Sequence, residues 1–152
     1  MPEIPVSSPH THTGQRTQWI MLRVILALVP GLLLSSWYLG VGVLVNAGLA
    51  VFAALALEAL VLRLRHMPIR TYLLDGSATI TALIIAAGLP AGLPWWVLLY
   101  GVASAILLGK HVFGGLGYNL FNPAMVGYAV ILVCFPIQMN QWGIDGSTGA
   151  TP

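Results

Sequence analysis

Long stretches without charge limit what this chain can fold into more than any other feature of its sequence. Residues 76–109 form a run of 34 residues with no formal charge, and residues 20–38 and 41–62 each hold a single charged residue. A helix of about 20 apolar residues matches the roughly 30 Å hydrocarbon core of a bilayer. Only 7% of the residues are charged and 58% are hydrophobic, whereas a soluble domain has about 25% charged residues. The sequence therefore predicts an integral membrane protein.

The fold class predicted by these runs is all-α, a polytopic membrane helical bundle with about five transmembrane helices. As one helix, residues 76–109 would extend about 51 Å, too far for a single crossing, and Pro90 and Pro94 divide the run. The two pieces are short, so they form either two crossings, which we favour, or a re-entrant pair. A tail (1–18) precedes a helical block (19–139), and a polar segment (140–152) follows it; the predicted spans are 20–38, 41–62, 76–89, 94–109 and 122–139.

The basic residues predict the orientation of the bundle. All of them fall in the N-terminal tail, at the mouth of the first span, or in the loops after the second and fourth spans: Arg16, Arg23, Arg63, Arg65, Arg70 and Lys110. The positive-inside rule makes that side cytoplasmic, so residues 140–152 are expected outside the cytoplasm. A formal net charge of +2 is too small for a nucleic-acid surface, and no nucleic-acid partner is expected.

The polar end of the chain reads Asp145-Gly146-Ser147-Thr148-Gly149-Ala150-Thr151-Pro152. By composition alone it is a flexible tail. It also resembles the flavin-attachment signature Asp-Gly-x-Ser/Thr-Gly-Ala-Thr of the NqrB/RnfD family. Further blocks carry the same resemblance, to the RnfD (RsxD) subunits of Rnf electron-transport complexes: 7–12, 16–21, 109–117, 119–125 and 135–139.

This resemblance implies a bacterial inner-membrane flavoprotein. Thr151 would be esterified to the phosphate of FMN by an extracytoplasmic flavin transferase, which also makes the chain a phosphoprotein. Asp145, Ser147 and Thr148 would anchor the segment, and Gly149 and Ala150 would let its backbone enter the transferase. The family fold resembles two inverted repeats, and this chain corresponds to the first, with the second helical repeat absent and the loop before the motif shortened.

A non-covalent riboflavin near Asn119 and Asn122 is a further implication of the resemblance. Their amides have donors and acceptors suited to a flavin edge, and the neighbouring glycines of the loop 114–117 allow close approach. The structural interpretation is that Asn122 caps a helix whose first residue is Pro123. Asn122-Pro123-Ala124 also occurs in aquaporins, but those carry two such motifs and this chain has one.

The remaining polar residues inside or beside the spans favour structural roles. Glu58 lies near the end of the second span, where pairing with an arginine or contact with water is favoured over ion relay. Asp75-Gly76-Ser77 resembles the start of the flavin signature without its ending, so Asp75 or Ser77 is expected to cap a helix. His66 and His111 are expected to be solvated in loops.

The function implied by the family is that of a subunit of an ion-translocating oxidoreductase, coupling ferredoxin/NAD electron transfer to ion movement and not catalytic alone. No catalytic residue and no metal ligand is predicted. The expected partners are RnfA, RnfB, RnfC, RnfE and RnfG, with the transferase and membrane lipid. The alternative is a small-solute channel or transporter with an inverted-repeat helical fold, since broken helices and an Asn-Pro-Ala motif also suit a pore.

Overall fold

A computed structural model describes residues 17–115 and 118–142, and in this part of the chain all regular secondary structure is helical, with no strand. This confirms the predicted all-α fold class. Its helices are α1 (Thr17–Leu39), α2 (Gly42–Leu64), α3 (Ile69–Leu73), α4 (Ser77–Ala87), α5 (Trp95–Ser104), α6 (Pro123–Cys134) and α7 (Pro136–Met139). A π-helical segment, Ala105–His111, continues α5.

Two of these helices, α1 and α2, are long and apolar enough to cross a membrane, and α4 and α6 are shorter apolar helices. The bounds of α1 and α2 lie close to the predicted spans 20–38 and 41–62. Helix α1 continues through Pro30. The predicted span 94–109 corresponds to α5 and its π-helical continuation.

The predicted fifth span, 122–139, is two helices in the structure and not one. Helix α6 ends at Cys134, and α7 begins at Pro136. Proline has no backbone N–H and disfavours the helical conformation of the residue before it. Phe135 accordingly leaves the helical region, with φ −131° and ψ 53°.

Small side chains form the core between α2 and α4 and let these helices approach closely. Ala47, Ala50 and Ala54 of α2 are buried, as are Ala78 and Ala82 of α4. Without a hydrophobic driving force between helices in lipid, packing of small residues is the main source of helix association. Apolar side chains on the outer faces of these helices are exposed, which fits a bundle surrounded by lipid or other protein.

Helices α5 and α6 approach through glycine. A Cβ atom built on Gly127 would lie 2.9 Å from the Ala105 Cβ atom and 2.5 Å from the Gly101 carbonyl oxygen. Neither neighbour can give way easily, because one is backbone and the other is a methyl group in a buried helix. This contact holds α6 against the π-helical segment.

The uncharged loops meet at one end of the bundle. Residues 39–42, 91–92 and Trp142 line one cavity of about 210 Å³. The Asn46 side chain, buried in α2, donates to the Pro90 carbonyl oxygen at 3.1 Å and holds the turn between α4 and α5 there. Segment 140–142, which leads to the predicted flavin motif, therefore lies beside the loops that carry no Lys or Arg.

Candidate functional site

A buried ion pair joins α2 to the π-helical segment. Glu58 is 0% exposed and Lys110 is 2% exposed, and the Lys110 ammonium donates a hydrogen bond to Glu58 Oε1. Glu58 was expected to pair with an arginine or to contact water, and this prediction is wrong because its partner is Lys110. Lys110 was predicted to lie in the loop after the fourth span. In the structure the helix continues past Gly109, so Lys110 is a helical residue buried inside the bundle.

Ser77 and Asp75 extend this pair into a chain of hydrogen bonds. Lys110 Nζ donates to Ser77 Oγ at 2.6 Å, and Ser77 Oγ donates to Asp75 Oδ1 at 2.6 Å. The Ser77 backbone N–H donates to the same Asp75 oxygen at 2.7 Å. The N-cap of α4 is Gly76 and has no side-chain capping bond, so neither Asp75 nor Ser77 is the cap residue as predicted; Asp75, one residue before the cap, accepts from the N–H of the first helical residue instead. Gly76, between the two, has a φ of 78° that other residues adopt only with strain.

The energetics of the pair depend on both members being present. Taking two charges out of water is costly, and their attraction offsets that cost only with good geometry and further hydrogen bonds. Here Ser77 supplies the lysine with a second acceptor. Removing one partner from a buried pair typically costs about 3–5 kcal/mol, because the other charge is left without compensation.

The π-helical segment places His111 next to this pair. Such segments are rare, and short π-helical bulges often occur at functional sites. His111 lies just past the predicted span 94–109, and its backbone carbonyl oxygen is 3.5 Å from an Arg65 Nη1 atom. His111 Nε2 is buried and the residue ends a helical segment, so the prediction of a solvated His111 in a loop is wrong, whereas His66 is exposed as expected.

A small cavity separates Glu58 from His111. Its volume is about 10 Å³, and it is lined by Glu58, Leu62, Arg65, Met67, Tyr72, Lys110, His111, Gly114 and Gly115. Glu58 Oε2 and His111 Nε2 are buried and have no hydrogen-bond partner in the structure. Most buried polar atoms are hydrogen-bonded to protein or water. Two unpartnered atoms on residues that line one cavity therefore make this cavity a candidate binding site.

Asn119 and Asn122 lie in the stretch that leads into α6. Asn122 Oδ1 accepts from the Ala124 N–H at 3.0 Å, which confirms its predicted role as the cap of α6 with Pro123 at the first helical position. Asn119 Nδ2 donates to the Phe121 carbonyl oxygen at 2.8 Å. Tyr118 and Phe121, beside them, are exposed.

The predicted FMN-attachment segment is not among the residues that the structure describes. Asp145, Ser147, Thr148, Gly149, Ala150 and Thr151 all fall in residues 143–152, outside the described range. The roles predicted for them stay predictions. Among residues 17–115 and 118–142, no group of three or more His, Cys, Asp or Glu side chains is placed to hold a metal ion.

Sequence reasoning missed Lys110 and Ser77 as partners of Glu58. The glutamate and the lysine are 52 residues apart, and no local pattern pairs positions at that distance. A usable signal was nevertheless present: Glu58 lies within an apolar run and Lys110 at the edge of another. An intramembrane charge usually has a partner of opposite sign.

A family model and individual proteins both match this chain, and they agree on the family. Residues 5–152 match the model of the NQR2, RnfD, RnfE family. A protein of Aeromonas hydrophila, named as a subunit of an ion-translocating oxidoreductase complex, is 54% identical over 136 residues, covering 90% of this chain and 39% of the relative. Relatives with the same name from Mannheimia succiniciproducens and Escherichia fergusonii are 53% and 48% identical over 90% of this chain.

The chain spans about two fifths of the length of these relatives, 38–39% in each case. The matched region includes every described helix as well as the predicted flavin motif. The chain therefore belongs to the NQR2, RnfD, RnfE family.

Proposed function

We propose that this chain is part of a membrane subunit of an Rnf-type complex that couples electron transfer between ferredoxin and NAD to ion translocation. The observation that carries the proposal is the family match over residues 5–152, together with relatives named as subunits of an ion-translocating oxidoreductase complex. The chain would act with the other subunits, RnfA, RnfB, RnfC, RnfE and RnfG. It would supply cofactor attachment, orientation and charge, and the bound flavins would supply the redox chemistry.

FMN is proposed to be attached through a phosphoester to Thr151. The support is the match of 145–151 to the family signature and the place where that segment starts. Trp142 lines the same cavity as residues 39–42 and 91–92, at the end of the bundle whose loops carry no Lys or Arg. By the positive-inside rule that end is extracytoplasmic, where a flavin transferase of the outer face of the inner membrane would reach Thr151.

A second flavin, riboflavin bound without a covalent link, is proposed at the opposite end near Asn119 and Asn122. The exposed rings of Tyr118 and Phe121 offer apolar surface there, and a Cβ atom on Gly115 would meet open space. The capping bond uses the Asn122 side-chain oxygen. A bound isoalloxazine would therefore meet the Asn122 amide N–H group, which suits a carbonyl or ring-nitrogen acceptor.

The alternative function, a small-solute channel, receives less support from the packing. Among the described helices, the space between α2, α4, α5 and α6 is closed by buried apolar side chains, including Ala54, Ile85, Val102 and Ile131. A pore for small solutes needs polar lining groups along its path. Among the described residues, the only ionisable side chains that are fully buried, Glu58 and Lys110, pair with each other at one end of the bundle.

The experiment for the FMN proposal uses the full-length protein co-expressed with the flavin transferase. Thr151→Ala should remove the flavin fluorescence of the protein band in a denaturing gel, because the hydroxyl that forms the ester is lost. Thr79→Ala is the matched control, since Thr79 ends the Asp-Gly-Ser-Ala-Thr stretch that resembles the motif in part, and it should keep the band. Fluorescence that persists in Thr151→Ala, or disappears in Thr79→Ala, contradicts the proposal.

A further inference from the structure

The cavity between Glu58 and His111 has the size and chemistry of a site for a single water molecule. Its volume is about 10 Å³, and one water needs about 10–15 Å³ and at least two polar partners. Glu58 Oε2 and His111 Nε2 are both buried and both without a partner. A flavin or a hydrated ion is far too large for this space.

Charge around the cavity argues against a metal cation as the occupant. The Lys110 ammonium is bonded to the same carboxylate, and Arg65 lines the cavity. A cation placed there would face two positive charges and one carboxylate, and repulsion between like charges is strong where water is scarce. A water molecule has no such cost and can donate to both unpartnered atoms at once.

We propose that one water occupies this cavity and donates its two O–H groups to Glu58 Oε2 and His111 Nε2. Through this water, Glu58 takes up a proton from the side of the bundle where the loop with Arg65 and Arg70 lies. The Glu58–Lys110 pair is then a proton-loading site, a place where a proton enters the bundle. The acceptor role of His111 requires its neutral ring with the proton on Nδ1. Arg65 and Gly114, which line the same cavity, are exposed and form its mouth.

The loading step balances without any other reactant. A proton from solvent at the mouth joins the bridging water, which passes a proton to Glu58 Oε2 and is then neutral again. An O–H bond forms at that oxygen, and the pair changes from net zero to net +1. Lys110 then loses its charged acceptor but keeps Ser77 Oγ at 2.6 Å, which in turn donates to Asp75.

The surroundings of Glu58 act on this loading in two opposite directions. The charged and titratable groups near it are Lys110 and His111 of the π-helical segment, Asp75 before α4, Arg65 after α2, and Tyr72 of α3. Three of them can carry positive charge and only Asp75 opposes them. A net positive charge in the bundle is costly, whereas burial away from water disfavours the carboxylate and so favours the loaded form. The site is independent of any flavin, so its failure and the failure of the proposed function are distinguishable.

The test is infrared difference spectroscopy on the full-length protein in its complex, in lipid nanodiscs, with acidification in H₂O and in D₂O. Wild type should gain a carboxylic-acid C=O band that shifts in D₂O, and Glu58→Gln should lack it. His111→Phe removes the second acceptor of the water and should slow deuterium exchange at this band by about tenfold, the rate effect of losing about one hydrogen bond. His66→Phe, at an exposed histidine of the adjacent turn, should exchange as wild type does.

Three results would overturn the proposal. The first is a wild-type protein that gains no such band, and the second is a band that persists in Glu58→Gln. The third is His111→Phe exchanging at the wild-type rate. If Glu58→Gln does not accumulate in the membrane, the comparison of His111→Phe with His66→Phe decides alone, because both variants keep the ion pair.

Discussion

The substitution Lys110→Met tests the buried ion pair most severely. The methionine keeps much of the length of the side chain and removes the charge, so Glu58 is left 0% exposed with no cation beside it. Breaking a buried pair on one side typically costs about 3–5 kcal/mol. Ser77 Oγ also loses its 2.6 Å donor, which adds to the loss. We expect the free energy of unfolding to fall by about 3–5 kcal/mol.

The double variant Glu58→Gln/Lys110→Met separates a lost charge pair from a lost packing contact. If the cost of Lys110→Met comes from an uncompensated carboxylate, removing that carboxylate should recover most of the loss. The interaction free energy of the cycle, the difference between the double change and the sum of the single ones, should then exceed about 1 kcal/mol.

The measurement is unfolding of the full-length protein by SDS titration in mixed micelles, followed by far-UV circular dichroism. Arg63→Met is the matched control, because Arg63 is an exposed basic residue in the last turn of α2. It should change the unfolding free energy by no more than about 0.5 kcal/mol. A Lys110→Met effect as small as that of Arg63→Met, or strictly additive effects in the cycle, would refute the reasoning.

Three further substitutions test how the helices are held, each by the same SDS titration. Gly127→Ala forces a methyl group against Ala105 and the Gly101 backbone and should cost about 1–3 kcal/mol, whereas Gly48→Ala, with nothing within 4 Å, should be neutral or stabilising; equal effects would contradict the close approach of α5 and α6. Asn122→Ala should cost about 1 kcal/mol through loss of the cap of α6, and Asn122→Asp should recover it; no difference between the two would exclude the cap. Asn46→Ala should cost about 1–2 kcal/mol and speed hydrogen exchange in residues 88–94, because the turn loses its anchor at Pro90; unchanged exchange there would contradict that role.

Hydropathy and turn chemistry are local signals, and they predict the parts of this fold that depend on local sequence. The ends of α1 and α2 lie within a few residues of the predicted spans, and Asn122 caps α6 as expected. The break at residues 88–94 follows from its prolines and glycines.

The features that the sequence did not predict depend on contacts between distant segments. The spans are apolar on all sides, so no amphipathic pattern indicates which face meets which helix. The pairing of Glu58 with Lys110 needs α2 and the π-helical segment to be placed together. Continuation of the helix through Gly109 likewise depends on α6: a Cβ atom on Gly109 would lie 2.8 Å from the Pro123 Cα atom.

The most direct test of the proposed function is the mass of the peptide that contains residues 145–151, taken from the full-length protein made in a host with the flavin transferase. The account predicts that this peptide carries the added mass of FMN less one water, and that fragmentation places the addition on Thr151. An unmodified peptide from such a host, or an addition on another residue, would contradict it.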